Sequence, residues 1–234
     1  MAGWEATYEA PLTYHYAGLE IGKCGPWSQG PVQLQTLALL NEMGVADWNP
    51  VSTDFVHGVT EALKLAFADR EAYYGDPDFV KVPLKQLLSR EYNRERSKEI
   101  SNRASLELRP GKISGFEVRM PEFDSSGRGD ERFSAMGIGE PTVSKKGETR
   151  GDTCHVDVVD RWGNMVSATP SGGWLQSSPV IPELGFCLNS RAQMFWLQEG
   201  LPATLAPGKR PRTTLTPSMA LWDGKGYLAY GTPG

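Results

Sequence analysis

Between Glu107 and Gly151 the chain carries no hydrophobic period of helix or strand. The stretch is rich in Gly, Ser, Lys and Glu and poor in apolar side chains. An unstructured connection of that length is uncommon inside a compact domain. Its composition also buries too little apolar surface to offset the entropy of ordering. It reads as mobile, and it divides the chain into a mostly helical front (1–106), a flexible piece (107–152) and a β-rich back (153–234).

The front opens with two short strands, Tyr14-His15-Tyr16 and Leu19-Glu20-Ile21, around Ala17-Gly18, with no partner nearby in sequence. Pro31 suits the first turn of a helix whose apolar residues are Leu34, Leu37, Ala38 and Leu40, with Gly44 as its stop. A second helix begins at Ser52 or Thr53, since both are good caps. Phe55, Val59, Ala62, Leu63, Ala66, Arg70 and Tyr73 then fall at helical spacing until Gly75-Asp76-Pro77. A short helix is expected over 83–89, and a charged one over 91–104 that is polar all round and so belongs on the surface.

The back starts at Thr153. Residues 154–159 read as a strand, 160–164 as a turn and 165–169 as the returning strand. A second hairpin joins about 215–222 to 226–231 through Asp223-Gly224. Helices come first and strands later, so the fold class is α+β rather than a βαβ repeat.

With 234 residues the chain can form one large domain or two small ones. Its 24 basic and 28 acidic residues give a net charge of −4 with no basic block, so no nucleic-acid partner is expected. No apolar run approaches the roughly 20 residues that cross a bilayer, and residues 1–20 lack the pattern of a secretory leader. No membrane partner is expected, and the compartment stays open. Cys24, Cys154 and Cys187 are too few and too scattered for a disulfide framework or zinc site, and read as buried free thiols. Neither a metal nor a cofactor is called for. Both ends look cut, the last strand running into a turn that stops at Gly234, so a longer parent protein is expected.

A slack segment leading into a strand headed by Thr has one chemical reading of interest. If the precursor cuts itself between Asp152 and Thr153, the freed α-amine can serve as base for the hydroxyl of Thr153. Such an amine titrates near 7.7–8.0, so it is partly neutral at working pH. The competing pair, Cys154 with His155 as base, is disfavoured because adjacent strand residues face opposite sides. His155 and Asp157 share a face but lack a third metal ligand, and Ser171-Gly172-Gly173 lacks the helix and Lys of a phosphate loop.

Several segments then resemble the γ-glutamyltranspeptidase family of N-terminal-nucleophile hydrolases. Asp152 to Asp160 followed by Gly163-Asn164 resembles the start of its small subunit. Lys209-Arg210-Pro211-Arg212-Thr213-Thr214 resembles its Lys-Arg-Pro segment with two hydroxyl residues, and Gly231-Thr232-Pro233-Gly234 the start of its Gly-Ser-Pro-Gly-Gly turn. Upstream, Ser28-Gln29-Gly30, Tyr74 to Val80 and Val82-Pro83 are similar to its large subunit. The resemblance implies a four-layer αββα sandwich, present here in part. It implies Thr153 as nucleophile, Ser171 bonded to it, Gly234 in the oxyanion hole, and Thr213 and Thr214 holding a substrate carboxylate. The implied reaction moves a γ-glutamyl or related acyl group from an amide, as in glutathione, to an amine or water. The other partner would be the remainder of the protein's own two subunits.

The departures bear on substrate. Gly173 stands where the family has Asn, and Arg191 and Met194 where it has polar residues that hold the glutamate α-amino group. An Arg repels an ammonium and a Met is a poor acceptor, so an acyl chain without that amine, such as glutaryl, is expected to serve better. An acylase for glutaryl or β-lactam side chains, and an inactive relative that only binds, are the alternatives. Arg210 and Arg212 are either a surface pair or organisers of the carboxylate site.

Overall fold

The computed structural model describes residues 5–121, 153–171, 180–183, 185–187 and 191–232. In its first part the elements are β1 (Leu12–Tyr16), β2 (Leu19–Lys23), α1 (Gly30–Glu42), α2 (Thr53–Tyr73), α3 (Leu84–Leu87) and α4 (Arg90–Ser97). In its second part they are β3 (Val156–Val159), β4 (Met165–Ala168), β5 (Val180–Ile181), β6 (Phe186–Cys187), β7 (Ser218–Trp222) and β8 (Lys225–Tyr230).

The partner missing from the sequence neighbourhood of β1 and β2 lies at the other end of the chain. β2 pairs antiparallel with β7, with Ile21 opposite Ala220 and Lys23 opposite Ser218. The resulting sheet runs β1-β2-β7-β8. Both of its hairpins turn through two residues with positive φ, Ala17 (50°) with Gly18 (81°) and Asp223 (48°) with Gly224 (72°). That turn twists with the strands it joins.

α1 is shared by two cores. Leu34 packs with Ile21 and Ala220 of the sheet, while Leu39 and Leu40 pack with Ala62, Leu65 and Ala66 of α2. α2 is capped by Ser52, whose Oγ accepts from the Phe55 amide at 3.1 Å, a contact worth about 1 kcal/mol. The cap choice thus falls to Ser52.

The expected surface helix over 91–104 is shorter and faces inward. It ends at Ser97, with Asn93 and Arg96 buried. The reason is a buried carboxylate. Asp69, on α2, accepts from Gln35 Nε2 at 2.6 Å, Tyr92 OH at 2.7 Å, the Gly111 amide at 2.7 Å and Arg96 Nη2 at 3.4 Å. Burial pushes its carboxyl up, against the opposing pull of Arg96 and these hydrogen bonds. A polar helix can face the interior when the interior offers it a charge.

The same carboxylate orders part of the segment expected to be mobile. Residues 107–121 form neither helix nor strand, yet Ile113 is buried, and Phe116, Val118 and Met120 pack on the helical core. Tyr73 OH donates to Gly111 O at 2.6 Å and Arg109 Nη2 to Glu61 at 3.1 Å. The rest of that segment, 122–152, lies outside the described residues. Among the described cysteines, Cys24 is half-buried and Cys154 is exposed, so the expectation of buried thiols fails at Cys154. Its side chain precedes a hairpin whose β3 residues are all exposed.

Asp69→Ala should therefore cost about 3–5 kcal/mol, since it removes the buried acceptor shared by Gln35, Tyr92 and the Gly111 amide and leaves Arg96 with Glu99 and the Arg109 carbonyl alone. Urea unfolding of the full-length protein would read this, and a loss below about 1 kcal/mol would contradict the role of Asp69 as hub.

Candidate active site

The β3–β4 hairpin sets Asp157 opposite Ser167. Its turn is built by Asp160, whose carboxylate accepts from the amides of Trp162 and Asn164 at 2.9 Å and from Asn164 Nδ2 at 2.8 Å. Beyond the strands the ladder continues through Cys154 N to Pro170 O at 3.0 Å. That bond brings the residues flanking it side by side, and Thr153 Oγ1 donates to Ser171 Oγ at 3.1 Å.

Below this pair, on the same face as Thr153 by strand alternation, lies His155. Its Nδ1 bonds Thr169 Oγ1 at 2.9 Å and its Nε2 bonds Asp157 Oδ2 at 2.7 Å. The ring is pressed against Gly231, where an added Cβ would lie 2.3 Å from His155 Cε1. Only glycine fits, so the start of the Gly231-Thr232 turn is seated on the histidine. Sequence reading found the shared face of His155 and Asp157 but not this strut.

The segment leading into β7 is clamped to the helical part. The Arg210 amide donates to Asp76 Oδ2 at 2.8 Å, and its guanidinium to Asp76 Oδ1 at 2.9 and 3.1 Å and to Glu9. Arg212 grips Glu71 with bonds of 2.8 and 2.7 Å and the Arg70 carbonyl at 3.0 Å. Thr213 N donates to Trp27 O at 2.9 Å, and Gln29 N to Thr213 O at 3.0 Å. The two arginines are internal fasteners of the segment, not a surface pair. Burial raises the Asp76 carboxyl, but the Arg210 bonds outweigh it and hold the group below its ordinary 3.8.

The two threonines differ. Thr213 Oγ1 accepts from Leu215 N at 3.1 Å. Thr214 Oγ1 is buried and has no hydrogen-bond partner among the described residues, and Thr216 Oγ1 shares that state. Such a hydroxyl is costly unless something bonds it. A cleft of about 600 Å³ lies beside the segment, lined by Thr213, Leu215, Trp27, Thr169, Phe195 and Arg191 among others. Arg191 opens the short 3-10 turn Arg191–Met194 and is 4% exposed. Burial lowers its basicity. Thr153, Ser171, Thr214 and Met194 are not among the lining residues. The link between the two regions is Thr169, which lines the cleft and bonds His155. Asp152, Gly173 and Gly234 lie outside the described residues. Lys23, Glu71 and Asp76 are the supporting residues that sequence reading missed, since a charged side chain gives no sign of a partner over 100 positions away.

The gamma-glutamyltranspeptidase model matches residues 1–234, and the chain belongs to that family. Among curated relatives, the glutathione hydrolase proenzyme of Bacillus subtilis subsp. natto is 30% identical over all of this chain and 38% of its own length. The acylase ACY 1 proenzyme of Pseudomonas sp. (strain SE83) is 33% identical over all of this chain and 36% of its own length. Among solved structures, that of LmbA2991HD is 52% identical with a TM-score of 0.77, covering all of this chain and 37% of its own. A cephalosporin acylase from Bacillus halodurans is 25% identical with a TM-score of 0.64, covering 97% of this chain and 35% of its own. The chain thus spans under two fifths of the length of the curated relatives it matches, and it shares the mixed helix-and-sheet fold of those solved structures over its own extent.

The depressed Asp76 carboxyl fixes a sign. Its contribution to stability is present above the ordinary value of 3.8 and is lost as pH falls through the lower folded value. Asp76→Ala should cost about 2 kcal/mol at neutral pH, and chemical unfolding should show the gap to the parent closing in strong acid.

Proposed function

We propose that the protein containing this chain is an autoprocessed acyltransferase or hydrolase with Thr153 as its N-terminal nucleophile. The observation that carries this reading is the Thr153–Ser171 hydroxyl pair, 3.1 Å apart at the head of a strand, in a chain of this family. On this reading, 1–106 is the end of the large subunit, 107–152 the pre-cleavage segment and 153–234 the start of the small subunit. The finer fold is the four-layer αββα sandwich, completed by the rest of both subunits.

Cleavage of the Asp152–Thr153 bond frees the α-amine of Thr153. That amine takes the proton of Oγ1 as Oγ1 bonds to the amide carbon of the substrate. The C–N bond then breaks, and the leaving amine departs with the proton. Water or an acceptor amine attacks the resulting ester and restores Thr153. Ser171 steers the Thr153 oxygen, and the family resemblance assigns the backbone N–H of Gly234 to the oxyanion hole. The acyl group carries a carboxylate, γ-glutamyl or a related chain, held by Thr213 and Thr214.

Arg191 in the cleft wall favours the second half of that substrate range. A cation there attracts a carboxylate and repels the α-ammonium of glutamate, so a glutaryl chain fits better than γ-glutamyl, and Gly173 offers no side chain where the family resemblance has Asn.

Two measurements test the reading. Mass spectrometry of the full-length protein should find a new N-terminus at Thr153, and Thr153→Ala should abolish both cleavage and turnover. Retained turnover in that variant sinks the nucleophile assignment. On anilides, kcat/KM for glutaryl should exceed that for γ-glutamyl by about tenfold or more, and the reverse order removes the role given to Arg191.

A further inference from the structure

The face of the β3–β4 hairpin that carries Thr153 carries a file of polar side chains in facing pairs. Thr153 meets Ser171 at 3.1 Å, His155 meets Thr169 at 2.9 Å, and Asp157 stands opposite Ser167. His155 Nε2 also bonds Asp157 Oδ2 at 2.7 Å. A hydroxyl, an imidazole and a carboxylate thus stand in line beside the nucleophile pair, and the acyl transfer proposed for Thr153 uses none of the three. Thr169 lines the cleft. The His155 side chain is 9% exposed, and its ring is wedged against Gly231.

The line has a direction, and Asp157 sets it. Partial burial raises its carboxyl, but the bonds from Ser167 and His155 outweigh it and hold the group below its ordinary 3.8. At neutral pH it is an ionised acceptor with no proton to give. The ring must therefore give it the Nε2 proton. A neutral imidazole then has only a lone pair at Nδ1, so the Thr169 hydroxyl donates there. That uses the one proton of the hydroxyl, and what Thr169 Oγ1 turns to the cleft is a lone pair.

The spacing suits an amide under attack. Thr153 and Thr169 are diagonal neighbours across the hairpin, and such neighbours lie about 7–8 Å apart, less between side chains. A carbonyl carbon about 3 Å from Thr153 Oγ1, with its own N–H nitrogen about 2.9 Å from Thr169 Oγ1, bridges about 7 Å.

We propose that Thr169 is a specificity residue that accepts a hydrogen bond from the N–H of the scissile amide, and that His155 and Asp157 are positioning residues that hold its proton turned away from the substrate. The inference rests on the reading that Thr153 attacks an amide. It gives that site a reason to prefer an amide to an ester of the same acyl group. An ester oxygen has no proton to offer and meets the Thr169 lone pair with its own.

The test compares glutaryl anilide with the glutaryl ester of the corresponding phenol on full-length protein. The quantity read is the anilide-to-ester ratio of kcat/KM in each variant against the parent, which reports the step up to acylation, where the N–H is present. Thr169→Val keeps the shape and removes the acceptor, and should lower the ratio about tenfold. Thr169→Ser keeps the acceptor and should restore the ratio to within about twofold of the parent. Asp157→Asn leaves Thr169 in place, but an amide can give as well as accept and no longer dictates which ring nitrogen holds the proton. It should lower the ratio as well. A merely structural role for these residues would slow both substrates alike, and an unchanged ratio in Thr169→Val overturns the proposal. An unchanged ratio in Asp157→Asn overturns the part given to His155 and Asp157. Anilide turnover that survives Thr153→Ala overturns the proposal together with the reading of Thr153 as nucleophile.

Discussion

The pairing of β2 with β7 is the contact on which the rest of the arrangement depends. It joins residues 19–23 to 218–222, so the parts before and after the long aperiodic stretch share one sheet. Closing a loop of that length costs entropy that grows only slowly with length. The return is the apolar contact of Ile21 and Ala220 with Leu34, plus a continuous ladder that leaves β2 and β7 with no free edge. Once the ladder is set, the residues just before β7 must run beside Trp27 and the end of α2. The cleft wall and its threonines follow from that path.

Four charged groups do the remaining alignment, by three kinds of balance. Asp69 is dry and collects donors from α1, α4 and the ribbon near Gly111. Glu71 and Asp76 meet guanidinium forks, whose planar geometry fixes direction as well as distance. Among the described residues no opposite charge pairs with Lys23, which is satisfied by a carbonyl and a hydroxyl. Removing a carboxylate of the first two kinds takes from a guanidinium one of its partners, leaving Arg96 with Glu99, Arg210 with Glu9 and Arg212 with the Arg70 carbonyl. Removing Lys23 leaves neutral groups, so its loss bears on geometry more than on stability.

Much of the local structure was legible in the sequence because it is set by local physics. The two positive-φ turns, the Ser52 cap and the hairpin around Asp160 each need only a few neighbouring residues. What was hidden depends on distant partners. Asn93 and Arg96 read as surface residues because nothing near them in sequence reveals Asp69. Residues 107–121 read as slack because their backbone is satisfied by side chains of other elements. At the site, the Thr153–Ser171 contact was expected from the family resemblance, and the hairpin that ends at Thr153 and Ser171 brings the two hydroxyls together. The His155 strut, the Asp76 and Glu71 clamps and the buried Lys23 come from tertiary packing, and a periodicity argument does not reach them.

The arginine clamps and the shared sheet both cross the point where the chain would be cut before Thr153. A cut there removes no described contact between the two parts, so the folded form need not notice it. The unfolded form would. Two separate strands of polypeptide must find one another again, and the search becomes second order in concentration rather than a property of one molecule. Scission would thus turn a foldable chain into an assembly whose persistence is governed by how slowly it comes apart. In such a molecule Arg210 and Arg212 would act as rivets, placed while the chain was still whole.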